Sequence, residues 1–82
     1  MSHVPEQAPS VKPGERYRHY KGGLYEVICQ AVQESDLSPV VVYRPLSGDT
    51  HSAWTRPMDV FFEMVQVGER MTQRFTRVDS DN

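Results

Sequence analysis

The chain has 82 residues, a net charge of −2 and a single cysteine, with 38% apolar residues. A chain of this length holds one domain and buries only about 60% of its unfolded surface, so its core is thin and a deep, water-excluding catalytic cavity is not expected. The charge excludes attachment to nucleic acid by bulk electrostatics, and the lone Cys29 excludes an internal disulfide.

Residues 1–13 hold three prolines and no apolar periodicity, and read as a disordered tail ending near Lys12-Pro13-Gly14. They lack the basic start and apolar run of a secretory leader. No stretch of the chain approaches the roughly 20 apolar residues of a membrane span. A cytoplasmic, reducing setting is therefore expected.

Residues 15–20 are compatible with a strand, and Lys21-Gly22-Gly23 with the turn that follows. Residues 24–32 alternate as a second strand. Tyr25, Val27, Cys29 and Ala31 fall on one face, and Glu26 and Gln30 on the wetter one. The polar stretch 33–38 is a loop, after which Val40-Val41-Val42-Tyr43 is the clearest strand in the chain. Arg44-Pro45 ends it, because proline cannot donate to a ladder. Ser47-Gly48-Asp49 turns into a short strand over 52–55. Arg56-Pro57 then prepares a helix, since proline suits the first helical position and Asp59 the first turn. Met58, Phe61, Phe62 and Val65 follow helical spacing up to a stop at Gly68. Residues 74–78 form the closing strand, and 79–82 a loose end.

Four strands, a short helix and a last strand predict a mainly β fold over residues 14–78. It is a small five-stranded, SH3-like, partly open barrel with the helix before the last strand. Five short strands that each bury one face curl to limit their open edges. An OB-fold and a helix-on-sheet sandwich are the alternatives.

Candidate chemistry is sparse. Cys29 sits mid-strand with no charge beside it and reads as a small buried hydrophobe. His3, His19 and His51 match no metal-ligand spacing, so no metal or cofactor is expected. No paired carboxylates, phosphate loop or nucleophile elbow is present, and the expectation is that the protein is not an enzyme. His19, set among Arg18, Tyr17 and Tyr20, is the one residue on which a catalytic alternative would rest.

Between Gly14 and Val78, eight basic residues balance eight acidic ones, and seven of the eight are arginines, the side chain suited to bidentate and stacked contacts. Arg16, Arg18 and Tyr20 share one face of the first strand. Together with Arg44 they suggest a surface for a protein or peptide, with His19, Lys21, Tyr43 and Arg56 as further candidate binding residues. RNA or single-stranded DNA on the same face is the alternative. Trp54, Tyr25, Phe61, Phe62 and Phe75 are assigned to the core. A monomer or weak homodimer fits the thin core and open edges.

The run from Gly14 to Val27, with Tyr17-Arg18-His19-Tyr20-Lys21-Gly22, then Val41-Val42-Tyr43-Arg44-Pro45-Leu46, Trp54-Thr55-Arg56-Pro57-Met58, Phe61 and Arg74-Phe75, resembles the bacterial family called domain of unknown function 1653. The likeness spans nearly all of residues 14–78, with a loop at 33–38 shorter than the one associated with the family. It implies a free-standing cytosolic bacterial protein, and it brings no catalytic residue, cofactor or substrate. It places Arg18, His19, Tyr20, Lys21, Tyr43, Arg44, Trp54, Arg56 and Pro57 within the family's motifs.

Overall fold

The computed structural model describes residues 9–48 and 52–78; His3, His51 and the end at 79–82 lie outside them. In chain order the elements are β1 (Arg16–His19), β2 (Leu24–Val32), β3 (Pro39–Pro45), β4 (Trp54–Pro57), α1 (Met58–Phe61), β5 (Met64–Val67), β6 (Arg70–Gln73) and β7 (Phe75–Val78). Five strands form one antiparallel sheet in the order β4-β3-β2-β1-β7, curled into a half-barrel. The remaining pair, β5 and β6, makes a separate two-stranded ribbon. The mainly β half-barrel with a short helix ahead of its final strands is thus as expected from the sequence.

The concave face carries the core. Val11, Tyr17, Val27, Val41, Tyr43, Met58, Phe61 and Phe75 are buried together, with Tyr25 and Phe62 packed against them. The single turn of α1 aims Met58 and Phe61 into the open side of the sheet. There Phe61 stacks face to face on Phe75 at 4.1 Å and meets the edges of Tyr17 and Tyr43. Aromatic rings supply most of the area such a small core buries, and edge-to-face pairs add about 0.5–1.5 kcal/mol beyond area alone.

Three details differ from the sequence reading. First, the helix stops at Phe61 instead of running to Gly68. The helical spacing of Phe62 and Val65 is overridden by a hairpin in which Val67 pairs with Arg70 around Gly68-Glu69. Gly68, at φ +62°, is the first residue of that two-residue turn, where glycine avoids the cost of a left-handed backbone. Second, Pro57 is not inside the helix. It is the last residue of edge strand β4, opposite Val40, and caps the helix from an extended conformation. A missing N–H is tolerated there because the strand has no outer neighbour.

Third, a β-bulge between Val27 and Cys29 changes which face β2 presents. Directly opposed residues share a face. Val27 opposes buried Tyr43, but past the bulge Cys29 opposes Val42 and Gln30 opposes buried Val41. Cys29 is therefore half-buried on the convex side and not in the core. Gln30 instead turns to the concave side, where its Oε1 accepts the Val11 N–H at 3.2 Å. That contact anchors Val11, which the sequence reading leaves in the N-terminal tail, as a core residue. Glu15 ties the same corner by accepting from the Lys12 N–H, from the Tyr17 hydroxyl at 3.1 Å and from Arg77 at 3.3 Å.

Candidate functional site

The register gathers strand ends at one end of the half-barrel. His19 at the end of β1 opposes Phe75 at the start of β7, and Tyr43 near the end of β3 opposes Trp54 at the start of β4. Beside them lies Tyr25, the second residue of β2. The result is a row of rings along the mouth: Trp54 to Tyr25 at 6.3 Å, Tyr25 to His19 at 6.4 Å, and His19 to Tyr20 at 4.6 Å between centroids. Tyr43 and Phe75, both buried, form the floor beneath it. Trp54 departs from its expected place in the core. It is 47% exposed because β4 is an edge strand, so its indole has the floor on one side and solvent on the other.

Positive groups surround this row. Arg56, on the concave face opposite Val41, donates from Nε to the Tyr43 hydroxyl at 3.1 Å, and its guanidinium lies 5.7 Å from the Phe75 ring centre. The bond satisfies a buried phenol and fixes the arginine without neutralising it. Arg74, between β6 and β7, donates from Nη2 to Glu63 at 2.8 Å, while its buried Nε meets no acceptor among the described residues. The Lys21 ammonium lies 5.8 Å from the Tyr20 ring.

His19 reports the field of these cations. Partial burial, then the charges of Arg56, Arg74 and Lys21, hold its pKa below the ordinary value. Its Nδ1 accepts the Lys21 backbone N–H at 3.1 Å, so the neutral ring carries its proton on Nε2. The mouth therefore offers hydrogen-bond donors and aromatic faces, and the carboxylate of Glu63 is already engaged by Arg74.

The other residues singled out from sequence divide. His19, Tyr20, Lys21 and Arg56 come together at the mouth. Tyr43 is only 2% exposed and serves as the floor, so it is not a contact surface. Arg16, Arg18 and Arg44 lie on the convex side. There Arg44 pairs with Glu26 at 2.7 Å and Arg16 opposes the same glutamate, which makes that row a solvated charge ladder. Tyr20 leaves that face, since its ring turns onto His19.

A model of the family described as "Protein of unknown function (DUF1653)" matches residues 15–77. The chain belongs to this family. A crystal structure of a DUF1653 protein from Bordetella bronchiseptica is similar to it, with 32% sequence identity and a TM-score of 0.74, covering 88% of this chain and 92% of that one. Among curated proteins, none matches. His19, Tyr43, Trp54 and Arg56, all within the matched span, meet at a single place on the fold.

Sequence reasoning missed Arg74 and the exposed role of Trp54. Arg74 reads as the first residue of a strand as long as β5 and β6 are taken for helix and loop. Once the hairpin is recognised, Arg74 becomes the residue that joins the ribbon to β7, bonded through its backbone to Glu63 and Tyr20. Trp54 carried a usable signal, because Arg56-Pro57 marks β4 as an edge strand and an edge strand leaves part of its concave face uncovered.

Proposed function

We propose that the protein is a non-catalytic binding module that takes an acidic peptide segment of a partner protein at the mouth. The observation that carries this reading is the row of part-exposed rings from Trp54 to Tyr20, bordered by Arg56, Arg74, Lys21 and the Nε2–H of His19. Guanidinium groups recognise carboxylates with two parallel donors, and tryptophan and arginine dominate the energetic centres of protein interfaces. The net-acidic chain favours a peptide over a nucleic-acid strand, whose binding leans on bulk positive charge.

The non-catalytic part of the reading is supported by His19 itself. A general base needs an open lone pair, and the unprotonated nitrogen of His19 is already accepting from Lys21. Cys29, the other reactive type, lies on the convex face.

The test is an array of 12-residue peptides graded in Asp and Glu content, probed with the wild type, Trp54→Ala and Arg56→Gln. Binding that rises with acidic content and falls at least tenfold in both variants is the expected result. Equal binding by the three proteins, or none to any acidic peptide, would sink the reading. Salt-sensitive binding of single-stranded RNA or DNA in its place would move the mouth to nucleic acid, for which the ring row also provides stacking faces.

A further inference from the structure

Next to the mouth, and sharing His19 and Tyr20 with it, a groove of about 450 Å³ runs between the β1–β2 turn and the β5–β6 ribbon. Its walls come from elements that the sequence reading did not place together. The register of the ribbon sets Val65, Val67, Arg70 and Thr72 on one face and Met64, Gln66, Met71 and Gln73 on the other. The first face supplies Val67, Arg70 and Thr72 to the groove. The sheet answers with Arg18 and with Thr76, its direct partner on β7, and with Tyr20 from the turn.

The chemistry of this lining is one-sided. Arg18 from β1 and Arg70 from β6 line the groove together with Thr72 and Thr76, and among the described residues no carboxylate is in its lining. Among the described residues Arg18 makes only a long 3.4 Å bond to the Gly22 carbonyl, which leaves most of its fork open. Arg70 is exposed, and no ion pair to it occurs among the described residues. Guanidinium forks and hydroxyl donors are groups that bind the charged oxygens of a phosphomonoester. Tyr20, 37% exposed and held against His19, adds a flat ring at the same wall, with Val67 apolar across from it. The volume lies within the range of small-ligand pockets.

The larger concavity, about 510 Å³ beside α1, has no comparable set of open donors. It is lined by Asp36, Ser38, Pro39, Pro57, Asp59 and Val60, and Asp36 already accepts both the hydroxyl and the amide of Ser38.

We infer that the groove between the first strand and the ribbon binds a nucleoside monophosphate. Arg18 and Arg70 clamp the phosphate, Thr72 and Thr76 donate to its oxygens, and the base lies on Tyr20. The site shares His19 and Tyr20 with the mouth and differs from it in its ligand and in both of its anchoring arginines. It needs no chemistry at the phosphate, only its charge and shape.

The experiment is a heteronuclear NMR titration of the full chain with AMP, adenosine and inorganic phosphate, repeated on Arg18→Gln, Arg70→Gln and Tyr20→Leu. AMP is expected to shift the amides of residues 18–22, 67–72 and 76. Each arginine variant is expected to weaken AMP at least tenfold, and Tyr20→Leu to bring AMP down to the affinity of phosphate alone. All three side chains reach solvent, so thermal melts of the variants near the wild type are expected to accompany the loss. No AMP shifts at millimolar concentration, shifts confined to Trp54 and Arg56, or phosphate binding as tightly as AMP would each overturn the inference.

Discussion

The large sheet and the β5–β6 ribbon are both antiparallel β-structure, yet they are held by different forces. Every strand of the sheet except β4 buries at least one side chain, and these meet around Phe61. The ribbon buries none. It is anchored where it leaves and rejoins the sheet, by the Arg74 N–H to the Glu63 carbonyl at 2.7 Å and by the Arg74–Glu63 ion pair. A two-stranded hairpin is marginal by itself in water, so the ribbon owes its position to this short clasp. The sheet is a scaffold set by burial, and the ribbon an appendage set by hydrogen bonds and charge.

The largest expected effect tests that division directly. Phe61→Ala removes the ring that joins Tyr17, Tyr43 and Phe75, and large-to-small changes of this kind cost about 3–5 kcal/mol. In a domain with a core this thin, that is enough to unfold much of the population. Met71→Ala on the exposed ribbon face should stay within about 0.5 kcal/mol. Urea unfolding of the two variants measures both. A comparable loss from Met71→Ala would mean that the ribbon shares the core after all.

Next in size is an alkaline limit on the sheet. Burial, then the hydrogen bond to Glu15 and its charge, push the Tyr17 pKa up to about 12 from an ordinary 10. The folded protein therefore keeps a proton that the unfolded chain gives up. This contribution to stability is complete below pH 10 and lost as pH rises through about 12. Stability falls across that window by at most about 1.4 kcal/mol for each pH unit. Tyr17→Phe should flatten stability between pH 10 and 12, as read by urea midpoints across that range. An unchanged slope in the variant would place the alkaline sensitivity elsewhere.

The same contrast explains what the sequence made legible. The strands of the sheet announce themselves through Val40-Val41-Val42-Tyr43 and through the glycine turn at 22–23, because burial writes an alternating pattern into the residues. The ribbon had signals too, in Val65-Gln66-Val67 and the Gly68-Glu69 pair. They competed with the helical spacing of Met58, Phe61, Phe62 and Val65, and with little burial at stake the longer pattern looked stronger. The β2 bulge was not legible at all. One extra residue changes the face of Cys29, Gln30 and Ala31 without altering their composition, and no side chain in the stretch signals it. The site was half legible for the same reason. His19, Tyr20, Lys21 and Arg56 stand out as residue types, whereas Arg74 joins them only once the ribbon is known to fold back.

A smaller effect belongs to the clasp. Glu63→Gln removes the charge that meets Arg74, and a part-exposed pair of this kind contributes about 0.2–1 kcal/mol. The expected outcome is local. Hydrogen exchange at the ribbon amides should quicken while exchange at Val27, Val41 and Tyr43 stays near the wild-type rate. Quickening at the core amides to the same extent would show that ribbon and sheet open as one unit.

The most delicate measurement lies where the two regions meet, at His19. Its neutral form is favoured by partial burial, by Arg56, Arg74 and Lys21, and by the Lys21 N–H, which a protonated Nδ1 could no longer receive. His19 should therefore titrate below 6.5, and Arg56→Gln should move it upward, both read from the ring Cε1–H resonance in NMR. The unfolded chain takes up this proton first, so the contribution of neutral His19 is present above pH 6.5 and lost as pH falls through the lower folded value. An acidic ligand at the mouth would reverse part of that depression by offsetting the cations. Binding would then take up a proton, and affinity would rise as pH falls between the bound and free values of His19. An acidic peptide whose affinity is flat with pH, on a protein whose His19 does titrate low, would mean that the ligand sits away from these cations.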